Sequence, residues 1–320
     1  MGKPEFQTKP PQAAAARPVV NFFELIPKTN FDFIGWAYAF YALSGLLVLA
    51  TAAYLFTRGV PTGVEFRGGI VVQFQVPPSV QIDDIRGALA QAGLDHEVQS
   101  LGTPGQYLAK FKREEEEKDL DGRLGQVLSG LAPGQEHQIL SKDFVGAVVG
   151  ERLREQALFA IALSMLGMIV YVGFRFRNLI WGVAAVVAII HDVFLSIGFL
   201  TFWGFEIDLV LVAALLTLAG YSVNDTVVIF DRLRERIRIY PRENLKDAIN
   251  RAVNDTLSRT LLVAGAMFLS VLALALWGGM NLKPFSVTLL FGVVVGSYST
   301  LGIAVNLVYT WAQWTGLRAR

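Results

Sequence analysis

The run LIWGVAAVVAIIHDVFLSIGFLTFW, Leu179 to Trp203, carries no lysine or arginine and a single carboxylate over 25 residues. A helix that crosses about 30 Å of hydrocarbon at about 1.5 Å per residue needs roughly 20 mostly apolar residues, so this run reads as a membrane span. Working outward, five more segments meet the same standard: Phe33 to Phe56, Ala157 to Phe174, Ile207 to Phe230, Thr260 to Trp277 and Phe285 to Trp311. The whole chain agrees with them. Of its 320 residues 53% are hydrophobic and 17% charged, and the mean hydropathy is +0.45, a composition that two soluble domains of this length do not share.

The expected organisation is an amino-terminal tail (1–32), a first transmembrane helix (33–57), a folded domain (58–152), a five-helix transmembrane bundle (153–314) with a loop at 231–256, and a short tail (315–320). The first span lies too deep in the chain for the apolar core of a cleaved signal peptide and is expected to remain as an anchor. Basic residues in short connections mark the cytoplasmic side. They sit in the first tail (Lys3, Lys9, Arg17, Lys28), after the second span (Arg175, Arg177), at the end (Arg318, Arg320) and above all at Arg232, Arg234, Arg236, Arg238, Arg242, Lys246 and Arg251, against Lys283 in the alternate connections. Both termini are therefore expected in the cytoplasm and the 58–152 domain outside it. The arginine-rich stretch serves to fix topology or, as the alternative, forms a binding surface.

Within the outer domain, Val64 to Val76 reads as a strand interrupted at Gly68-Gly69 and Ile82 to Ala92 as a helix. Glu97 to Gly102 and Gln106 to Lys112 follow as strands, Glu114 to Leu128 as a helix and His137 to Phe144 as a strand. A βαββαβ order predicts a ferredoxin-like α+β sandwich. The Glu114 to Glu117 run suits the first turn of the second helix, where negative charge complements the helix dipole. No catalytic set, phosphate loop, nucleophile elbow or HExxH occurs, so the chain does not read as an enzyme. His96 and His137 lack companions at metal-ligand spacing, and the chain has no cysteine. Neither a metal nor a cofactor is expected. The net charge of +1 suggests no nucleic-acid partner.

The chemistry, if any, lies in the membrane, where an ionisable side chain costs roughly 2.5–3.5 kcal/mol on insertion scales and faces a protein interior or a water path. Asp225 lies near one end of the fourth span, within Gly220-Tyr221-Ser222-Val223-Asn224-Asp225-Thr226, with Ser222 a turn away. Arg259 opens the fifth at a matching depth and either pairs with Asp225 or snorkels to the interface. Aspartate is too short to snorkel far, which favours a proton-responsive or helix-coupling role for Asp225. Asp192, beside His191 near the bilayer midplane, serves either an interhelical hydrogen bond or a proton relay. Gly220, Gly292 and Gly296 are expected to let helices approach closely, the last two as a GxxxG element.

The segment Gly220 to Arg232 closely resembles the fourth-helix signature of the SecD/SecF protein-export family. Gly63-Val64-Glu65-Phe66-Arg67-Gly68-Gly69 resembles the family element after the first helix, Asp143 to Gly150 the valine-glycine motif before the second, Ala248 to Leu261 the approach to the fifth, and Gly292 to Thr300 the glycine and serine pattern of the sixth. Glu65, Arg67 and Ala147 depart from the family's usual aspartate, small polar residue and proline. Asn224-Asp225-Thr226 with Phe230-Asp231-Arg232 resembles the SecF branch rather than SecD, whose element reads Val-Asp-Ala-Asn with Phe-Glu-Arg. The resemblance implies a bacterial inner-membrane translocase subunit of the resistance-nodulation-division superfamily that pairs with SecD, associates with the SecYEG channel and uses the proton motive force to complete export of unfolded preproteins. By residue matching, Asp225 and Arg259 would be the charged positions tied to proton conduction, with Ser222, Asn224 and Thr226 as polar support. Two other readings stay open: a passive assembly scaffold, and a small-molecule exporter of the same superfamily, against which the single outer domain argues.

Overall fold

A computed structural model describes residues 29–94, 96–112, 117–133, 137–279 and 282–315. Lys3, Lys9, Arg17 and Lys28 of the first tail, Glu114 to Glu116, and Arg318 and Arg320 lie outside the described residues. Among the described residues, six helices are long and apolar enough to cross a membrane. They are α1 (Ala37–Arg58), α5 (Ala147–Phe176), α6 (Leu179–Phe202), α7 (Leu209–Ile239), α8 (Leu245–Trp277) and a last span built of α9 (Lys283–Ser299), one π-helical turn (Thr300–Ala304) and α10 (Val305–Thr315). Side chains start the helices by taking up their free amides: Asn178 Oδ1 accepts from Ile180 N at 3.0 Å, Asp208 Oδ1 from Leu211 N at 2.8 Å and Asn244 Oδ1 from Lys246 N at 3.2 Å.

The helices differ in what surrounds them. In α6 and in the last span, 61% of the apolar window is buried inside the chain, against 6% in α1 and α5; the first two form the centre and the other two are flanks. A Cβ added at Gly182 of α6 would lie 2.8 Å from Ile169 O of α5, so these helices cross with their backbones nearly touching. Gly292 admits Leu218 and Gly296 admits Ser222 and Asp192, as the GxxxG spacing predicts. Gly220 differs from expectation: it is exposed and a Cβ there would meet nothing within 4 Å, because its face of α7 looks away from the other described helices.

Between α1 and α5 lies the βαββαβ unit: β1 (Gly69–Gln75), α3 (Ile82–Gln91), β2 (His96–Ser100), β3 (Gln106–Lys112), α4 (Glu117–Leu131) and β4 (Gln138–Val145). The sheet order is β2-β3-β1-β4, with every pairing antiparallel, which is the ferredoxin-like arrangement. Period-2 alternation puts Ile70, Val72, Phe74, Ala109 and Phe111 on one face, where Ile85 and Leu89 of α3 and Leu120, Leu124 and Leu128 of α4 cover them.

Three boundaries differ from the sequence expectation. Val64–Arg67 is a one-turn helix, α2, and the strand begins only at Gly69. Val64 and Phe66 turn inward, Phe66 packing on Ala157 and Val212, and Gly68 exits at φ 80° with its N–H on Val64 O. The second span starts at Ala147, because its charged opening turns (Glu151, Arg152, Arg154, Glu155) are helical outside the apolar window. The expected loop at 231–256 is mostly helix: α7 runs on to Ile239 and α8 starts at Leu245. Ion pairs hold these extensions together, Arg232 to Asp255 at 2.7 Å and to Glu235 at 2.8 Å, and Arg236 to Glu243 at 2.8 Å.

The domain is tied to the far rim of the bundle by backbone. Ile207 N donates to Pro61 O at 2.8 Å and Gly63 N to Ile207 O at 2.9 Å, a parallel bridge between the stalk and the α6–α7 turn. Gly150 of α5 abuts Phe66 O at Cβ distance 3.0 Å. At the opposite end, Asp32 accepts from Gly35 N and from Lys246 Nζ, both at 2.8 Å, and from Asn250 Nδ2 at 2.6 Å.

Gly182→Ala is expected to lower the unfolding temperature in detergent, costing roughly 1–3 kcal/mol by overpacking, whereas Gly220→Ala should leave it unchanged or raise it, since helix propensity alone changes there. Thermal denaturation of both variants checks the contrast. The Lys246 hydrogen bond and the Gly35 amide hold the Asp32 carboxyl below its ordinary 3.8. Its contribution is thus fully present above that value and lost as pH falls through the depressed one; Asp32→Asn should speed amide exchange at Gly35 at neutral pH.

Candidate functional site

Asp192 stands at the centre of the bundle with no exposed surface. Its Oδ2 accepts from Ser222 Oγ of α7 at 2.8 Å and from Ser299 Oγ at the end of α9 at 2.7 Å, and its Oδ1 lies 3.0 Å from His191 Nδ1. One carboxyl group therefore joins three spans. Ser222 is placed for this by facing the notch at Gly296, where an added Cβ would sit 3.6 Å from Asp192 Oδ2. Ser299 borders the π-helical turn, in which one residue more per turn shifts the helix face. Next to it, Thr300 Oγ1 lies 3.1 Å from Thr226 Oγ1. The network continues outward through Tyr298, whose ring is 6.3 Å from that of His191 and whose hydroxyl meets Ser44 Oγ at 2.9 Å and Phe40 O at 3.0 Å on α1.

Asp225 lies on α7 one turn from Ser222, is 3% exposed, and keeps its Oδ2 buried with no hydrogen-bond partner among the described residues. Ser222 gives its hydroxyl to Asp192 and not to Asp225. The pair expected with Arg259 is not closed. Arg259 is exposed and close enough to Asp225 to act on it electrostatically, but no ion pair within 4.0 Å joins them among the described residues. Asn224 is exposed on the same outward side as Gly220, and Thr226 is fully buried. Further buried polar atoms without a partner among the described residues, His191 Nε2, Tyr221 Oη, Thr260 Oγ1 and Ser297 Oγ, lie on α6, α7, α8 and α9. In a hydrocarbon setting such atoms are costly, and here they are concentrated around two aspartates.

The motif at 63–69 serves a different end. Gly63 carries the backbone bond to Ile207, Phe66 is buried, and Gly68 and Gly69 take backbone angles that lead into β1. The Oε2 of Glu65 is buried and without a hydrogen-bond partner among the described residues. Ser299, Thr300 and Tyr298 were not singled out as site residues from the sequence; the signal for Ser299 was its place three residues beyond Gly296, on the same face of the helix.

Asp192→Ala strands the hydroxyl of Ser222, while Ser299 Oγ keeps its bond to Gly296 O at 3.1 Å, and is expected to cost roughly 1–3 kcal/mol, with Ser299→Ala costing less because Ser222 still serves Oδ2. Unfolding midpoints in detergent check the order.

Residues 126–314 match the family model described as protein export membrane protein SecD/SecF, C-terminal. The protein translocase subunit SecF of Calditerrivibrio nitroreducens is 36% identical over 297 residues, covering 91% of this chain and 97% of its own. That of Endomicrobium trichonymphae is 34% identical, covering 94% and 96%. The crystal structure of SecDF from Thermus thermophilus, described as a translocon-associated membrane protein, superposes with a TM-score of 0.78 at 30% identity over 89% of this chain. A SecDF structure in a super-membrane-facing form does so with a TM-score of 0.70 over 91%. This chain spans 39% of the former and 40% of the latter. A central six-span bundle built on Asp192, an antiparallel sheet domain and these relatives along nearly the whole sequence lead to one conclusion: the chain is a multi-pass membrane protein of the SecD/SecF protein-export family, on its SecF side.

Proposed function

We propose that this chain is the SecF half of a proton-driven export motor, a translocase subunit rather than an enzyme. It works with SecD beside the SecYEG channel and draws unfolded preproteins outward late in their passage. The observation that carries this reading is the Asp225 carboxyl, buried in an apolar span with Oδ2 unpartnered and a guanidinium in electrostatic range but not in contact. A carboxyl group held so exchanges its proton according to how far the guanidinium stands from it, so a change of helix packing and a proton transfer become one event. A proton crossing about 100 mV releases about 2.3 kcal/mol, which biases two conformations about fiftyfold. Asp192, hydrogen-bonded to Ser222 one turn away, is the second carboxyl on the same route.

Two surfaces support a partner. Gly220, Asn224 and Arg259 are exposed along α7 and α8, an outward face of the kind a second membrane bundle covers. β4 is a sheet edge with Ile139, Leu140 and Phe144 exposed, the last at 60%, a template for another strand. In this reading the chain sits in the bacterial inner membrane with both termini in the cytoplasm. The 58–152 domain lies outside, where it meets the emerging preprotein, and the arginines of the α7 extension hold the inner side.

Release of preprotein from sealed vesicles, with SecD present and a proton gradient imposed, tests the motor. Asp225→Asn should assemble normally with SecD yet release preprotein at a rate that no longer responds to the gradient. A variant that responds as wild type does would remove Asp225 from the coupling, and one that fails to assemble would favour the scaffold reading.

A further inference from the structure

At the end of the bundle away from the sheet domain, a cleft of about 620 Å³ opens between the α5–α6 corner and the α7 extension. Its floor is apolar: Phe176, Trp181 and Ile237, the first two 5% and 3% exposed. Its wall carries two carboxylates and two arginines, and the carboxylates are already engaged. Asp231 Oδ2 accepts from Arg175 Nη2 at 2.8 Å and Glu235 Oε2 from Arg232 Nη1 at 2.8 Å. Arg234 and Arg238, four apart on one helix face, are both exposed. Among the described residues neither has an acidic partner within 4.0 Å, and Arg234 spends one donor on Arg175 O at 3.2 Å. A guanidinium has five donors in a planar fork suited to phosphate, so the cleft presents two largely free forks above an aromatic floor.

Its depth defines what it meets. Phe176 closes α5, Leu179 opens α6, and Phe230 is the last buried aromatic of α7 before the charged turns begin. The cleft therefore lies where the apolar spans give way to charge, at the level of lipid headgroups. We propose that it is a binding site for an anionic phospholipid, whose phosphodiester lies between Arg234 and Arg238 while its glycerol and upper acyl chain cover Trp181, Phe176 and Ile237. Charge complementarity selects the headgroup and the apolar floor selects a lipid over a free anion. Residues of the α7 extension that are bound into the ion-pair lattice, Arg232 and Arg236, take no part.

Native mass spectrometry of the purified full chain, released from micelles with equal amounts of phosphatidylglycerol and phosphatidylcholine, reads the site. The wild type should retain phosphatidylglycerol in preference. Arg234→Gln with Arg238→Gln should weaken that retention about thirtyfold, while Arg152→Gln with Arg154→Gln, which removes the same charge from exposed positions of α5 at the other end, should leave it within about twofold. No preference in the wild type, no loss in the first pair, or equal loss in both pairs would overturn the proposal. So would displacement of the lipid by inorganic phosphate at matching concentration, since that assigns the site to a free anion.

Discussion

A carboxyl group in the middle of a membrane bundle cannot be left alone, and the way Asp192 is satisfied organises the rest of the molecule. Its two oxygens are shared among a histidine on its own helix and serines on two others. This fixes the rotation of α6, α7 and α9 about their axes, which apolar packing leaves loosely determined because lipid tails are as apolar as the side chains they would replace. The glycine notches follow from it. Gly296 has to be small for Ser222 and Asp192 to meet, and Gly292 a turn earlier has to be small for Leu218 to lie against the same helix. The π-helical turn follows as well, since it sets Ser299 and Thr300 side by side toward α6 and α7.

Once those rotations are fixed, Asp225 is held inside. It is three residues from Ser222, so the helix face that brings Ser222 to Asp192 also keeps Asp225 at 3% exposure. The outward side of α7 then falls to Gly220 and Asn224. The same stretch of helix presents a polar interior and, at Gly220 and Asn224, an uncovered exterior.

Much of this was legible in the residues. Apolar length alone located the six spans, and period-2 alternation with turn residues located the antiparallel sheet and its helices. The misses have physical causes. Hydropathy marks where a helix is dry, not where it ends, so the charged turns of α5, α7 and α8 passed for connections. Val64 to Arg67 has the apolar-polar alternation of a strand, but the bond from Gly63 to Ile207 turns it into a helical turn. The two aspartates were legible as buried charges, while their partners were not. Helix periodicity puts Ser222 and Asp225 on one side, yet only tertiary packing determines which carboxyl the serine serves. Gly220 looked like its fellow glycines because a small residue reads alike whether it faces a helix of its own chain or none.

The parallel bridge between Thr62 and Ile207 gives α7 a mechanical identity. The helix begins two residues after that bridge, carries Ser222 and Asp225 along its length, and ends in the ion-pair lattice with α8. Its 31 residues form a rod about 46 Å long at about 1.5 Å per residue. A tilt of about 5° about its middle would carry each end about 2 Å in opposite senses, and at the bridged end that displacement passes through two peptide hydrogen bonds straight into the stalk of the sheet domain. Side chains at such a joint could slip past one another; a backbone bridge cannot, so the domain rides on the helix that holds the aspartate.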